Sequence, residues 1–215
     1  MRLIAALGCA LAAVVAVPAL ATDLDCQFGL TAGSVFGRSQ HVPEGGAPFS
    51  DNFNVNGRAS GAEAGCLSAG ERWRYGFFGD VMETNAQGSA QGLPPNQDAF
   101  VHTAFDWLGT LRGVIGYDFG SRLTGYVTGG VAATSVTMRL CKTSCLVNSQ
   151  IMWGIAGGAG FQYRLLRRLS ASVEYRFVRL ENKPFPSSGA AVVGDHDVSV
   201  NPEAQLLLVG LHFHF

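Results

Sequence analysis

Histidine, cysteine and charged side chains carry the chemistry this sequence has to offer, and their spacing decides which kind. The histidines are His41, His102, His196, His212 and His214. A nucleophilic dyad built along one extended strand needs a serine two residues from a histidine, because only alternate side chains share a face. Neither His212 nor His214 has a serine at that spacing, and the other three fall in or beside segments that read as loops. Asp195-His196-Asp197 has donor types suited to a divalent cation. A solvated acidic loop has the same composition and is the simpler reading. Gly154, Gly157, Gly158 and Gly160 lack the Lys-Ser/Thr and following helix of a phosphate loop, and alternate with apolar residues as strand glycines do. The sequence therefore predicts no catalytic residue, no cofactor and no enzyme activity.

Six charged residues recur on the polar side of alternating stretches: Arg72, Arg74, Asp80, Arg112, Glu174 and Arg176. If those polar sides converge, the charges must pair or reach water. They then form either the lining of a narrow selective channel or a packed ionic plug, and the plug is the favoured reading.

The cysteines offer cross-links. Cys26, Cys66, Cys141 and Cys145 follow the N-terminal apolar leader, and no two-by-two spacing with flanking histidines suggests a metal site. Four cysteines allow three connectivities. Cys141 and Cys145 sit in one polar segment with three residues between them, whereas Cys26 and Cys66 fall near the same end of two neighbouring strands, on outward faces. Topology thus favours Cys26–Cys66 and Cys141–Cys145.

These groups must be held by strands. In the last twelve residues Ala204, Leu206, Leu208, Gly210, His212 and His214 take one face, and Gln205, Leu207, Val209, Leu211, Phe213 and Phe215 the other. Leu169 to Phe177 alternates Leu, Ala, Val, Tyr and Phe against Ser170, Ser172, Glu174 and Arg176. Trp73, Tyr75 and Phe77 oppose Arg72 and Arg74, while Trp107, Leu111, Ile115 and Tyr117 oppose Thr110 and Arg112. Trp153, Ile155, Ala159, Phe161 and Tyr163 form a further apolar face, and Leu123, Val127 and Val131 another. Gln27 to Phe36 and the small-residue stretch Gly57 to Ala69 complete a count of eight, an even number that closes without an exposed edge. Tight turns fall near residues 70–71, 118–122 and 164–168. Long polar connections occupy about 37–56, 83–103, 138–149 and 181–203, the alternation of short and long links found in outer-membrane barrels.

Met1-Arg2, the apolar run Leu3 to Val17 and Ala19-Leu20-Ala21 read as a secretory signal peptide cut after Ala21, leaving residues 22–215 as one barrel domain. The run is short for a membrane-spanning helix, and a lipid attachment at Cys9 would fall too early. A formal net charge of -1 offers no basic patch for nucleic acid, and 28 glycines with only 14% charged residues suit close-packed strands with one face toward lipid. A soluble barrel keeps apolar side chains inside. Here the aromatic face would overfill a small barrel, so it belongs outside, with Trp73, Trp107, Trp153 and Tyr175 as interfacial aromatics.

The segments Trp107-Leu108-Gly109-Thr110-Leu111-Arg112-Gly113, Tyr126-Val127-Thr128-Gly129-Gly130-Val131-Ala132, Gly157-Gly158-Ala159-Gly160, Val173-Glu174-Tyr175-Arg176-Phe177 and Val209 to Phe215 resemble strands of the small opacity-type, OmpA-like outer-membrane barrels. The resemblance covers most of residues 100–215 and little before residue 70. It implies an all-β, eight-stranded transmembrane barrel in the outer membrane of a Gram-negative bacterium and a structural or host-facing surface role. It also implies insertion by the barrel-assembly machinery through the last strand, where Val209, Leu211, Phe213 and Phe215 form the signal. The closing strand departs from the usual aromatic-basic-Phe ending by carrying His214. Expected partners are outer-membrane lipid and lipopolysaccharide, with host or envelope molecules met by the long loops.

Overall fold

The computed structural model describes residues 24–39, 41–43, 50, 53–70, 72–93, 100–141, 145–185, 198–200 and 203–215. The leader expected over residues 1–21 lies outside them, as does the Asp195-His196-Asp197 segment. Within them the chain forms β1 (Leu24–Ser39), β2 (His41–Pro43), β3 (Phe53–Ala69), β4 (Trp73–Thr84), β5 (Gln87–Gln91) and β6 (Phe100–Asp118). It continues with β7 (Leu123–Cys141), β8 (Cys145–Leu166), β9 (Leu169–Leu180), β10 (Lys183–Phe185), β11 (Val198–Val200) and β12 (Glu203–His214).

Eight of these form the wall, in the order β1-β12-β9-β8-β7-β6-β4-β3, and β3 pairs back onto β1 to close the ring. Every pairing in the wall is antiparallel. Closure gives each strand two partners, which removes the free edge that an open sheet exposes. The alternation sorts side chains as the sequence indicates: Leu207, Val209, Leu211 and Phe213 of β12 are exposed, while Leu206, Leu208, His212 and His214 are buried.

The short turns follow from local chemistry. The β6–β7 turn, residues 119–122, contains Gly120 at φ 128°, a left-handed conformation that a side chain would strain. The start of β1, the end of β12, this turn, the β3–β4 junction and the β8–β9 turn share one end of the barrel, here called the terminal end.

At the opposite end the ladders run further than the sequence pattern predicts. The expected loop at 138–149 is instead the top of a hairpin whose register continues to Cys141↔Cys145. The outward face here is largely polar, with Ser135, Thr137, Arg139 and Ser149, and Val147 as the apolar exception. Ser135 and Thr137 each donate to Asp106 Oδ2 at 3.0 Å, and Thr137 meets Ser149 at 2.8 Å. Above the apolar band the outward face no longer needs to be hydrophobic, so the alternation that marks a strand in the sequence fades. Segment 83–103 likewise contains β5, which resumes pairing with β6 after a break at Asn85-Ala86. A bulge in β6 between Phe105 and Leu108 flips the alternation, so that Phe105 points inward above Leu108. The loops expected at 37–56 and 181–203 contribute a small sheet in the order β10-β11-β2. Its two outer strands contain Pro184 and Pro43, residues tolerated at sheet edges.

Cys26 and Cys66 face each other across the β1–β3 ladder and are joined, as are Cys141 and Cys145 across β7–β8. The aromatic set divides by height. Trp73 stands at the terminal end, edge-on to Tyr117 at 5.0 Å, and Tyr117 is edge-on to Phe119 at 5.2 Å. Trp107 and Trp153 stand toward the other end, opposite Glu83 and Ala133. Tyr175 lies halfway along β9, opposite Ala159 and Leu207, in the middle of the apolar band instead of at its border. Alternation fixes a residue's face but not its height, which is why the sequence groups Tyr175 with the tryptophans.

Alkylation of the denatured, unreduced protein should add no mass at these four cysteines, and reduction should expose all four. Replacing the exposed Val209 by Arg should destabilise the folded barrel by about 2–4 kcal/mol, read from urea unfolding in lipid vesicles.

Candidate functional site

The lumen is divided into three levels. At mid-height β6 and β9 present Arg112 and Arg176 to carboxylates from β3, β4 and β9. A guanidinium has five N–H donors, and Arg112, fully buried, uses all of them. Its Nε donates to Thr110 Oγ1 at 2.9 Å. One terminal nitrogen reaches Glu174 Oε1 at 2.6 Å and Thr128 Oγ1 at 3.2 Å. The other reaches Glu63 Oε2 at 2.7 Å and Asp80 Oδ2 at 2.9 Å.

Arg176 completes the cluster, donating to Asp80 Oδ1 at 2.9 Å and Glu174 Oε1 at 2.8 Å. Tyr126 donates its hydroxyl to Glu174 Oε2 at 3.2 Å. The neighbouring wall has to make room for these groups. A Cβ on Gly158 would meet Thr128 Oγ1 at 3.0 Å and Glu174 Oε1 at 3.2 Å, and one on Gly160 the Tyr126 hydroxyl at 2.7 Å. The inward glycines of β8 are therefore space for the ionic cluster.

Nearer the terminal end lies a second cluster. Asp25 accepts from Arg74 at 3.2 Å and Arg164 at 3.0 Å, and Arg74 also pairs with Asp118 at 2.8 Å. His214 Nδ1 lies 2.8 Å from Asp25 Oδ1. These groups border a small polar recess open to solvent, whose lining also contains Arg122, Gln162 and Ser170.

The level beyond the ionic cluster is apolar. Val35, Met82, Phe105, Met138, Met152 and Leu206 belong to one buried cluster inside the barrel. Arg112, Arg176, Met82, Met138, Met152 and Leu206 are all fully buried side chains, so the middle of the lumen is filled, while the far half also holds a small apolar cavity lined by Val35, Phe105, Leu108, Val178 and Leu206.

Of the charges assigned to the lumen by alternation, Asp80, Arg112, Glu174 and Arg176 meet at mid-height and Arg74 stands lower, in the terminal-end cluster. Arg72 is a correction. It precedes the first residue of β4, is exposed, and donates to the Tyr117 hydroxyl at 3.3 Å on the rim. The parity that places it inside applies only while the strand continues. Glu63 and Asp25 escaped the sequence reading because β3 has no apolar alternation to orient Glu63, and Asp25 stands where β1 begins. The histidine pairings escaped it too. Ser170 Oγ lies 2.7 Å from His214 Nε2 and Ser172 Oγ 2.8 Å from His212 Nε2, both across the β9–β12 ladder, where spacing along one strand gives no signal.

A closed antiparallel barrel with an apolar exterior and a charged interior at mid-height defines a transmembrane β-barrel of the outer-membrane class. The family model described as "Outer membrane protein beta-barrel domain" matches residues 7–215, and the chain belongs to that family. Its location is the outer membrane of a Gram-negative bacterium, with the terminal end periplasmic.

Among curated proteins it is similar to the 25 kDa outer-membrane immunogenic protein of Brucella canis, at 28% identity over 156 residues, which cover 73% of this chain and 65% of that protein. The Brucella melitensis counterpart is 29% identical over 133 residues, 62% of this chain and 57% of that protein. The matched region thus spans less than two thirds of these relatives. Among solved structures, Pseudomonas aeruginosa OprG is 16% identical with a TM-score of 0.56, covering 90% of this chain and 97% of its own. The Escherichia coli outer-membrane protease OmpT is 11% identical with a TM-score of 0.55, covering 89% and 97%. These two likenesses show the fold alone.

Removing one partner of a buried ion pair strands the charges it neutralised. Arg112→Ala should therefore cost about 3–5 kcal/mol in unfolding experiments, whereas Arg72→Ala, on the rim, should change stability by less than about 0.5 kcal/mol.

Proposed function

We propose that this protein is a structural and surface barrel of the outer membrane, whose work is done by its wall and its extracellular ribbons and not by passage through its lumen. The observation that carries this reading is the saturation of Arg112. A guanidinium with all five donors engaged, flanked by three carboxylates and capped by an apolar cluster, is a plug. Opening it for solutes would require breaking buried charge-assisted hydrogen bonds without replacement.

The exposed ring of Leu, Val, Phe, Tyr and Trp side chains suits contact with outer-membrane lipid and lipopolysaccharide. The outward residues Val209, Leu211, Phe213 and Phe215 of the closing strand are the segment offered to the barrel-assembly machinery. The β7–β8 hairpin, closed at its tip by Cys141–Cys145, extends past the end of β9 at Leu180, which pairs with Gly154. It is a rigid projection suited to host or envelope contacts. The Brucella relatives are named as immunogenic outer-membrane proteins, which supports exposure of such ribbons at the cell surface.

Single-channel recording in planar bilayers tests the reading. The purified, heat-modifiable protein should show no stable conductance, and Arg112→Ala should show at most irregular openings. Stable, reproducible channels from the unaltered protein would establish a pore instead.

A further inference from the structure

Among the described residues, the periplasmic end keeps positive charge in excess once its carboxylates have found partners. Asp25 is taken by Arg74 and Arg164, and Asp118 by Arg74 and the Thr124 hydroxyl, all at the lumen mouth. Arg122 of the β6–β7 turn and Arg167 and Arg168 of the β8–β9 turn are exposed, and none of them is ion-paired to a described residue. The two turns stand side by side, because the Arg164 amide donates to the Arg122 carbonyl at 2.8 Å. Both also carry exposed apolar side chains. Phe119 is 61% exposed, and Leu165 and Leu166 are 46% and 66% exposed. Arginine beside leucine and phenylalanine at the border of a lipid-facing wall suits the headgroup layer, where the side-chain stem lies along acyl chains and the charged head reaches phosphate.

From this placement we infer that the β6–β7 and β8–β9 turns form one docking sector for anionic phospholipid of the inner leaflet. Arg122, Arg167 and Arg168 hold the phosphate diester, which a guanidinium grips through paired N–H donors. Phe119, Leu165 and Leu166 rest among the glycerol backbones and the first acyl carbons. The inference rests on the reading of the wall as a lipid-contacting surface, and adds which lipid that surface selects and where.

The apolar residues favour lipid over an acidic polymer of the periplasm. They continue the exposed band of the wall through Phe161 and Tyr163 of β8 and Leu123 of β7, with no charge between. A polymer lying on the periplasmic face would leave these leucines and the phenylalanine ring in water. Phe119 is also edge-on to Tyr117 at 5.2 Å, and so belongs to the aromatic group at this border. The excess of charge is local. At the opposite border Glu83, Asp106 and Glu203 accompany the exposed Arg38, Arg58 and Arg179, and Arg179 lies 3.7 Å from Glu203.

The test uses the full-length protein in phosphatidylcholine vesicles, with folding verified by heat-dependent gel migration. Spin-labelled phosphatidylglycerol should give a motionally restricted signal at least about threefold stronger than spin-labelled phosphatidylcholine. The two labels should become equal when Arg122→Gln, Arg167→Gln and Arg168→Gln are combined. The preference should persist when Arg38→Gln, Arg58→Gln and Arg179→Gln are combined. A phosphatidylglycerol with a photoreactive headgroup should cross-link the unaltered protein within residues 119–123 and 164–169. Equal signals from the unaltered protein, a preference that survives the first set of substitutions, or cross-links mapped elsewhere would overturn the inference. Capture of a soluble peptidoglycan fragment without any preference for phosphatidylglycerol would overturn it as well. If the substituted protein does not fold, the cross-link positions decide alone. A folded barrel that shows no conductance and treats both labels alike would lose this inference and keep the sealed-barrel reading.

Discussion

Hydrocarbon supplies no water to a backbone amide, and every other feature of this protein follows from that constraint. The pairing of β1 with both β12 and β3 answers it, leaving the wall strands without a free edge. Once the wall is closed and bathed in lipid, alternation turns the usual order of a protein inside out. Leucine, valine and aromatic rings go outward, and the polar residues of the same strands converge on a space only wide enough for side chains. Arginines and carboxylates that a soluble core would exclude become the natural filling, provided each is matched.

The matching is uneven along the axis, and the unevenness gives the lumen its character. Mid-height is ionic, with Arg112 and Arg176 among Glu63, Asp80 and Glu174. The extracellular half is apolar, with Met82, Met138 and Met152 filling it alongside Val35 and Leu206. The periplasmic mouth is wet and charged, with histidine, serine and glutamine ordered by Asp25. The centre is sealed while the mouth stays polar, because the two occupy different levels.

Much of this was legible in the sequence, for a physical reason. A strand between lipid and a packed lumen must alternate strictly, so the faces of β4, β6, β9 and β12 could be read directly, and with them Arg74, Asp80, Arg112, Glu174 and Arg176. Where one of the two environments is missing, the signal goes too. β3 is built of small residues on both faces, which hid Glu63. Toward the hairpin tip the outward side of β7 and β8 is mostly polar, Val147 excepted, which made a tall hairpin look like a loop. Strand ends obey no parity, which misplaced Arg72. Contacts between strands depend on register, and Ser170 meets His214 only because residue 169 pairs with 213 and 170 with 212, a relation that no spacing along the chain records.

The bond between Cys26 and Cys66 acts as a gauge for assembly. Sliding β3 by one position against β1 would send Glu63 toward the acyl chains and bring Ala62 into the interior. A disulfide spans only a narrow range of α-carbon separations, so it tolerates no such slippage. Formed in an oxidising compartment, it holds the first pair of strands in the alignment that the wall requires. The alignment of an entire cylinder is thereby anchored at one covalent point.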